Sequence, residues 1–324
     1  MFIRMPSRRC ALAVAPALAV TALVGVAGEG SAAGLPPSEV RDSFRLPGTL
    51  LVARDGDLWS VRADGTGWRR LAAKVSTAAW SPDRMRIAYS SYTSGDPDIW
   101  VMTAAGGAKQ RITSGPAYDE DPTWSPDGKR LAYSSCAADF RGCGVATVRS
   151  TAPSGKATWI LTGTEHPSAG ACKGSASDAY LNPSWHPRLN RLALQHACRY
   201  ADAPSKVLPL VVNASTGAVV SRVAGRLANP DWSADGRRLV WVDARDVEGA
   251  TSVIRTSPTG ASPVRITPWV GPGDFPNSAD TPVWSPDGRW VAYAKAFSDA
   301  WVTNAAGTSR RLLFTNARPL DWRW

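Results

Sequence analysis

The sequence predicts an all-β protein, a six-bladed β-propeller whose ring is closed when the C-terminal strand joins the three N-terminal strands. The first observation behind this prediction is a motif that begins at a tryptophan and recurs every few dozen residues. Its copies read WSPDRMRIAY from Trp80, WSPDGKRLAY from Trp124, WHPRLNRLAL from Trp185, WSADGRRLVW from Trp232 and WSPDGRWVAY from Trp284, with a truncated copy, LDWRW, around Trp322. A repeat of this length is typical of units that bury their apolar faces against their neighbours.

Each repeat has the pattern of four short strands. In the second copy, Pro122 to Trp124 predicts a first strand, and the SPDG segment at 125–128 predicts a hairpin turn, because Pro presets the second turn position and Gly accepts positive φ. The LAYS segment at 131–134 then alternates as a second strand. In the preceding blade, Asp98 to Met102 and Gln110 to Thr113 supply the third and fourth strands.

The second observation is that the two ends of the repeat region complete each other. The segments 49–53, 58–61 and 69–71 have the pattern of second, third and fourth strands with no first strand before them. Pro319 to Trp324 has the pattern of a first strand with nothing after it. Joining these pieces into one composite blade gives six first strands with six sets of partners, and therefore a closed ring.

Residues 1–33 predict a cleaved secretory signal peptide. Arg4, Arg8 and Arg9 precede an apolar run at 11–27, and the small residues at 31–33 form a cleavage pattern. An uncleaved membrane anchor is the alternative, although the run is short for a bilayer span and contains Pro16. We therefore expect a secreted or extracytoplasmic protein with a signal peptide (1–33), a short leader (34–48) and the propeller (49–324).

The repeat resembles that of the TolB-type β-propeller family over residues 48–324. The resemblance lies in WSPDG, in the basic-x-aliphatic-Ala-aromatic strand that follows, in the DIWV segment at 98–101 and in the Gly-rich turns at 63–67, 104–109 and 304–308. It implies the fold, whereas function lies in sites that vary on one fold. TolB proteins carry an α/β domain before the propeller, and only about fifteen residues, Gly34 to Gly48, occupy that place here. We therefore do not expect TolB's membrane-assembly role.

Four cysteines follow the predicted signal peptide, and an even number in an oxidising compartment favours disulfides. Cys136 and Cys143 bracket a loop between a second and a third strand, which predicts that they pair. Cys172 lies in the long insertion at 163–182 and would then pair with Cys198. A zinc site that combines these thiols with His166 or His196 is the competing interpretation, but no C-x-x-C or H-x-x-x-H spacing supports it. The sequence therefore predicts no metal site and no cofactor.

The positive charge of the chain does not by itself indicate a nucleic-acid partner. Without the three Arg and one Glu of the signal, 34 of the 37 basic and 26 of the 27 acidic residues remain, a net charge of about +8. A basic protein can bind nucleic acid or acidic polymers, but these basic residues are scattered. We expect a soluble arginine-rich surface, a monomer, and contact with a membrane only if the signal stays uncleaved.

The residues that recur in every repeat are interpreted as structural. Asp83, Asp127, Asp235 and Asp287 occupy one turn position, where Asp bonds its backbone neighbours. The repeat tryptophans would fill the space between blades. Paired aspartates at 55 and 57 and at 96 and 98 could hold Ca²⁺, but Asp beside Gly or Pro is also ordinary turn chemistry.

Candidate function therefore lies in the loops that differ between repeats, which the strand assignment places on one face around the central channel. Long loops on a rigid scaffold often carry binding sites. Two of these loops, 114–121 and 268–281, supply the candidate ligand-binding residues. These residues are Tyr118, Asp119, Glu120, Asp121, Trp269, Asp274, Phe275 and Asp280.

Two classes of function follow from this face. The first is a secreted module that binds a protein, a peptide or a cell-surface glycan, with aromatic anchors among polar groups. The second is an extracytoplasmic hydrolase or lyase at the channel mouth, with acid chemistry from Asp119, Glu120 and Asp280. No G-x-S-x-G motif is present, and His186 occupies a turn position, so no nucleophile and base can be paired. The sequence favours the binding module and assigns no catalytic residue.

Overall fold

The computed structural model describes residues 46–137, 142–151, 156–164, 172–200, 206–243, 251–268, 279–296 and 298–324. The chain divides into two units, 1–46 and 47–324. The predicted signal peptide and nearly all of the leader lie outside the described residues. The second unit contains the six blades of the propeller.

The described residues form 24 strands in six four-stranded antiparallel sheets, which we number as blades. Blade 1 is composite and contains β1 (Thr49–Arg54), β2 (Asp57–Arg62), β3 (Arg69–Ala72) and β24 (Arg318–Arg323). Blade 2 contains β4 (Val75–Trp80), β5 (Arg86–Ser91), β6 (Asp98–Thr103) and β7 (Gln110–Arg111). Blade 3 contains β8 (Tyr118–Trp124), β9 (Arg130–Cys136), β10 (Gly144–Arg149) and β11 (Thr158–Leu161).

The remaining three blades follow in chain order. Blade 4 contains β12 (Ser177–Trp185), β13 (Arg191–Arg199), β14 (Lys206–Asn213) and β15 (Val219–Arg222). Blade 5 contains β16 (Leu227–Trp232), β17 (Leu239–Asp243), β18 (Ser252–Thr256) and β19 (Val264–Arg265). Blade 6 contains β20 (Ala279–Trp284), β21 (Trp290–Lys295), β22 (Asp299–Asn304) and β23 (Arg310–Phe314).

The ring closes through the composite blade, as the sequence predicts. Strand β24 pairs antiparallel with β1, with Thr49 opposite Arg323 and Leu50 opposite Trp322. Trp322 is fully buried, and its indole N–H donates to the Pro47 carbonyl at 2.6 Å. The six-bladed propeller and its mode of closure are thereby confirmed.

The first strands of the blades contact one another in sequence around the ring, so they form its innermost layer and line the channel. Each of them begins at the same mouth of the channel, because the blades repeat one strand order. The opposite face carries the hairpin turns that follow the repeat tryptophans.

The residues of those turns have the structural roles expected of them. In blade 3, the Ser125 hydroxyl donates to Asp127 Oδ1 at 2.6 Å, and that same oxygen accepts the Lys129 N–H at 3.1 Å. These hydrogen bonds stabilise the carboxylate and lower the pKa of Asp127. In blade 4, His186 replaces the serine, and its Nδ1 accepts the N–H groups of Arg188 and Leu189, both at 3.0 Å.

The repeat tryptophans are buried between blades, and at Trp124, Trp185 and Trp284 an arginine of the preceding blade lies over the ring. Trp284 is 1% exposed, and the Arg238 guanidinium of the preceding blade lies 4.6 Å from its ring centroid. Arg238 also donates to the Gly288 carbonyl at 2.9 Å. The same cation–π contact joins Arg86 to Trp124. Part of the scattered positive charge therefore holds neighbouring blades together.

A candidate ligand-binding site at the channel mouth

The mouth at which the first strands begin is also the face where each second strand ends. Tyr118 at the start of β8 pairs with Cys136 at the end of β9, and Ser177 at the start of β12 pairs with Arg199 in β13. The connections from second to third strands therefore emerge at the same mouth. This is the arrangement that the strand assignment predicts for the variable loops.

Tyr118 to Asp121 lie in strand β8 and not in the loop to which the sequence assigns them. The expected strand began only at Pro122, but the pairing with β9 extends back to Tyr118. A bulge between Glu120 and Thr123 explains the difference, because it breaks the alternation that marks a strand. These four side chains are therefore held by the sheet.

Asp119 points into the interface between blades 2 and 3 and is 5% exposed. Burial raises the pKa of Asp119 to about 6. Hydrogen bonds from Ser135 and Thr113 lower this pKa in part, whereas the charge of Asp98 raises it further. Its backbone N–H donates to the Pro97 carbonyl at 2.8 Å. Asp119 is thus shielded from solvent, unlike a residue that contacts a ligand from the channel.

Glu120 is also buried, at 4% exposed, and belongs to a hydrogen-bonded group that links blades 2 and 3. Its Oε1 accepts the Tyr92 hydroxyl at 2.6 Å and the Ser76 hydroxyl at 2.8 Å. Burial, followed by the charge of Glu120, raises the pKa of Tyr92, so Tyr92 stays protonated and donates. The carboxylate of Glu120 is therefore fixed in place.

Further polar contacts run between neighbouring first strands at the mouth. Asn182 donates its side-chain amide to Asp121 Oδ2 at 3.2 Å, and Asn229 donates to Asp280 Oδ1 at 2.8 Å. The Arg318 guanidinium donates to the Ser76 carbonyl at 2.7 Å. Acidic and amide side chains from four blades thus meet around the channel, with the Arg318 guanidinium beside them.

The residues before the prolines of the first strands adopt the left-handed region. Their φ values are 56° at Asp121, 53° at Asn182, 48° at Asn229 and 45° at Thr281. Asp and Asn tolerate this conformation, whereas a β-branched residue is strained in it. The left-handed conformation therefore recurs at one level of the channel, next to the candidate site, and it is strained at Thr281.

The structure also places the remaining candidate residues. Asp280 lies in β20, is partly exposed and accepts from Asn229. Trp269, Asp274 and Phe275 lie outside the described residues, so their role stays a prediction. Of the predicted residues, four lie at the mouth: Tyr118, Glu120, Asp121 and Asp280. Asp119 is directed away from them into the blade interface. The structure adds Asn182 and Asn229, which occupy the same position before proline as Asp121.

Both predicted disulfides are present and lie at this mouth. Cys136 is joined to Cys143, and Cys172 to Cys198. Cys198 lies inside β13, which continues to Arg199. Disulfides persist in oxidising compartments, which indicates an extracytoplasmic location.

In each aspartate pair considered for Ca²⁺, one carboxylate is paired with an arginine of the chain itself. Asp57 Oδ2 lies 2.7 Å from the Arg70 guanidinium, and Asp98 Oδ2 lies 2.6 Å from that of Arg111. The contact with Arg70 lowers the pKa of Asp57.

Among the described residues, no helix is long and apolar enough to cross a membrane.

The closed ring of six blades, with polar side chains at one mouth of its channel, defines a β-propeller. A family model for the TolB β-propeller domain matches residues 62–155, which confirms that the repeat is of the TolB type. The Tol-Pal system protein TolB of Anaeromyxobacter dehalogenans (strain 2CP-C) is 35% identical over 69 residues, which are 21% of this chain and 16% of that protein. The match thus spans less than a fifth of that relative.

Solved structures agree on the fold. TolB from Acinetobacter baumannii has a TM-score of 0.62 at 18% identity, over 85% of this chain and 68% of that one. An oligogalacturonate lyase in complex with manganese has a TM-score of 0.50 at 12% identity, over 80% of this chain and 70% of that one. One fold therefore serves proteins with different functions, and the function of this chain must be argued from its own site.

Proposed function

We propose that this protein is a secreted TolB-like propeller that binds a protein or cell-surface glycan through the loop face at the channel mouth. The contact residues would be Tyr118, Asp121 and Asp280 from the strands, together with the loop residues Trp269, Asp274 and Phe275. Glu120 would support them by fixing the mouth between blades 2 and 3.

The observation that carries this proposal is the difference between the two faces. The turn face repeats one structure in blades 2, 3, 5 and 6, a serine and an aspartate that cap a hairpin, as at Ser125 and Asp127 and again at Ser285 and Asp287. The mouth instead carries polar groups that vary along the ring, with Asp121 in blade 3, asparagines at 182 and 229 in blades 4 and 5, and Asp280 in blade 6. A rigid scaffold with divergent groups at one end suits recognition, because the groups are already positioned before a partner arrives.

The chemistry of the mouth favours a basic or hydroxyl-rich partner. Carboxylates of Asp121 and Asp280 contribute negative charge, and the amides of Asn182 and Asn229 can donate and accept hydrogen bonds. Carboxylates attract Lys and Arg side chains, and carboxylates with amides also hydrogen-bond sugar hydroxyls. Export of the protein through the predicted signal peptide, residues 1–33, would bring it to such partners.

An extracytoplasmic hydrolase or lyase is the alternative, and one observation bears on it. The raised pKa of Asp119, about 6, would suit a general acid. However, Asp119 is 5% exposed and belongs to the blade interface, so a substrate in the channel would not reach it. The buried position of Asp119 thus favours the binding module.

The proposal is tested with secreted protein and partners taken from the envelope of the producing cell. Peptide and polysaccharide fractions are scored for stoichiometric depletion, which supports binding, or for turnover, which supports the enzyme. Equilibrium binding of the captured partner is then measured for Asp280→Asn and Trp269→Ala. We expect each to weaken binding by about 1 kcal/mol or more, the range of an interface anchor.

The matched control is Asp287→Asn, which makes the same carboxylate-to-amide change on the turn face. It should leave binding unchanged and lower the melting temperature, because Asp287 caps its turn through Ser285 and Arg289. Asp280→Asn keeps the oxygen that accepts from Asn229, so its melting temperature should stay close to that of the parent. Equal binding by both mouth variants and the parent would exclude the mouth as the binding surface.

A further inference from the structure

A buried histidine and aspartate lie directly against the Cys172–Cys198 disulfide. His196 Nε2 is 3.2 Å from Cys172 Sγ and 2.9 Å from Asp178 Oδ2. The ligand atoms of Cys172, His196 and Cys198 all lie within 4.8 Å of one another. Cys172 and Cys198 are at most 1% exposed, His196 is 6% and Asp178 is 7%. Four side chains able to bind a metal thus converge in one shielded place.

The sheet of blade 4 holds this cluster in position. Asp178 pairs across the strands with Cys198, and Tyr180 pairs with His196. The Tyr180 ring stacks on the imidazole with centroids 4.2 Å apart and planes 8° from parallel. The Thr164 N–H and hydroxyl both donate to Asp178 Oδ1, which leaves Oδ2 directed at the histidine. The orientation of His196 and Asp178 therefore does not depend on the disulfide alone.

We propose that reduction of the Cys172–Cys198 bond converts this cluster into a binding site for a thiolate-preferring divalent cation such as Zn²⁺. Cys172, Cys198 and His196 are the ligands, and Asp178 supplies the fourth. Two thiolates, an imidazole and a carboxylate form a donor set that suits tetrahedral Zn²⁺. This site is independent of the partner-binding role proposed above.

The chemistry balances with a dithiol as the reductant. The dithiol gives two electrons and two protons to the Cys172–Cys198 bond and becomes a disulfide itself, which leaves two thiols on the protein. Binding of Zn²⁺ then releases both thiol protons to solvent, because thiolate is the form that binds metal. His196 binds through the lone pair of neutral Nε2.

The existing distances are close to those of a metal site. With Zn–N near ~2.1 Å and Zn–S near ~2.3 Å, tetrahedral neighbours are separated by roughly 3.3 to 3.8 Å. The distances from His196 Nε2 to Asp178 Oδ2 and Cys172 Sγ, 2.9 and 3.2 Å, are already near this range. These two distances must lengthen slightly, and the two sulfur atoms must separate further, which rotation of the cysteine side chains allows once the bond is broken.

The second disulfide provides an internal control. Among the described residues, three metal-ligating side chains are grouped at Cys172, His196 and Cys198, and Cys136 and Cys143 are not part of this group. The experiment therefore uses a Cys136→Ser/Cys143→Ser variant, in which a dithiol reduces only the bond of interest. Binding of Zn²⁺ is measured by calorimetry, and Co²⁺ is used as a spectroscopic probe.

We expect the oxidised variant to bind no Zn²⁺ and the reduced variant to bind one ion per chain, with a thiolate-to-cobalt charge-transfer band in the Co²⁺ form. His196→Gln in the same background should weaken binding at least tenfold. Zn²⁺ should also raise the melting temperature of the reduced chain. Three outcomes would overturn the proposal: no binding after reduction, binding that His196→Gln leaves unchanged, or a reduced chain that unfolds even with Zn²⁺ present.

Discussion

At the scale of single residues, Thr281 combines two unfavourable features. Its φ is 45°, a left-handed conformation in which β-branched residues are rarely found, and its buried hydroxyl has no hydrogen-bond partner among the described residues. Asp121, Asn182 and Asn229 occupy the same position in other blades with similar φ values. The asparagines show that an amide side chain fits this backbone.

We therefore predict that Thr281→Asn stabilises the protein. Relief of the backbone strain and of the buried hydroxyl should raise the free energy of unfolding by about 1 kcal/mol. Denaturant titration measures the change. The matched control is Thr77→Asn, at the same position of blade 2, where φ is not positive. That change also removes the hydroxyl that accepts the Asp121 N–H at 3.1 Å, so it should destabilise. Equal effects of the two substitutions would contradict the role of strain.

Asp119 makes a second residue-scale prediction, which concerns pH. Its pKa is about 6 in the folded chain against 3.8 as the reference, so the folded state holds more protons between these values. Stability contributed by this group therefore falls as the pH rises from about 4 to about 6. A shift of two units corresponds to about 3 kcal/mol. Asp119→Asn cannot ionise and should lose this dependence when unfolding is measured from pH 4 to pH 7.

Asp127 gives a comparison of opposite sign. Hydrogen bonds lower the pKa of Asp127 in the folded chain, so its contribution to stability is present above the unfolded pKa and is lost as the pH falls through the folded pKa. Asp127→Asn should therefore cost stability at pH 7 and little at the acid end. If Asp119→Asn behaved in the same way, the carboxyl of Asp119 would be ionised and satisfied in its interface.

At the scale of elements, one tryptophan inside strand β24 and one directly after it lie in opposite environments. Trp322 is fully buried and donates to the Pro47 carbonyl, whereas Trp324 is 61% exposed. We predict that Trp322→Ala lowers the free energy of unfolding by about 3 to 5 kcal/mol, the usual loss for a buried aromatic ring. Trp324→Ala should change it by less than about 0.5 kcal/mol. Similar melting temperatures for the two variants would mean that β24 does not carry the closure.

Strand existence was predictable from the sequence, but strand starts were not. The sequence locates the hairpin turns and the alternating second strands correctly, because Ser-Pro-Asp-Gly strongly favours a tight turn. Strand β8 begins at Tyr118, four residues before the expected start at Pro122. Strand β12 begins at Ser177, inside the segment 163–182 that the sequence assigns to an insertion. A proline preceded by a left-handed residue makes a bulge in each, and the bulge removes the alternation on which the prediction depends.

Contacts between blades were predictable only in part. An arginine lies six residues after the repeat tryptophan in blades 2 to 5 and could have indicated the contact with the next blade, as Arg86 makes with Trp124. The group around Glu120 could not be predicted, because Tyr92 and Ser76 come from another blade at no fixed spacing. The contact of His196 with Cys172 likewise depends on a long insertion that no repeat pattern describes.

At the scale of the whole molecule, closure of the ring places the first and last strands of the propeller side by side, as in a β-hairpin that lacks only its turn. Arg323 pairs with Thr49, so Trp324 and Gly48 lie where a two-residue turn would join them. Gly48 has a φ of 79°, the sign that such turns require. A chain of residues 48–324 could therefore be permuted, with Trp324→Asn to form an Asn-Gly turn and with new ends elsewhere.

We predict that the position of the new ends decides the stability of the permuted chain. In the first permuted chain, the new ends lie between Asp127 and Gly128. Strand β8 is then the last strand of the chain and closes blade 3 by pairing with β9, just as β24 closes blade 1 in the natural chain. This permuted chain should melt cooperatively within a few degrees of the parent. Ends between Ala73 and Lys74 would place every blade on one continuous segment, so the first and last blades would meet through side chains alone. That chain should melt several degrees lower, and calorimetry on both measures the difference. Equal melting temperatures would show that packing between blades, without a shared blade, is enough to hold the ring closed.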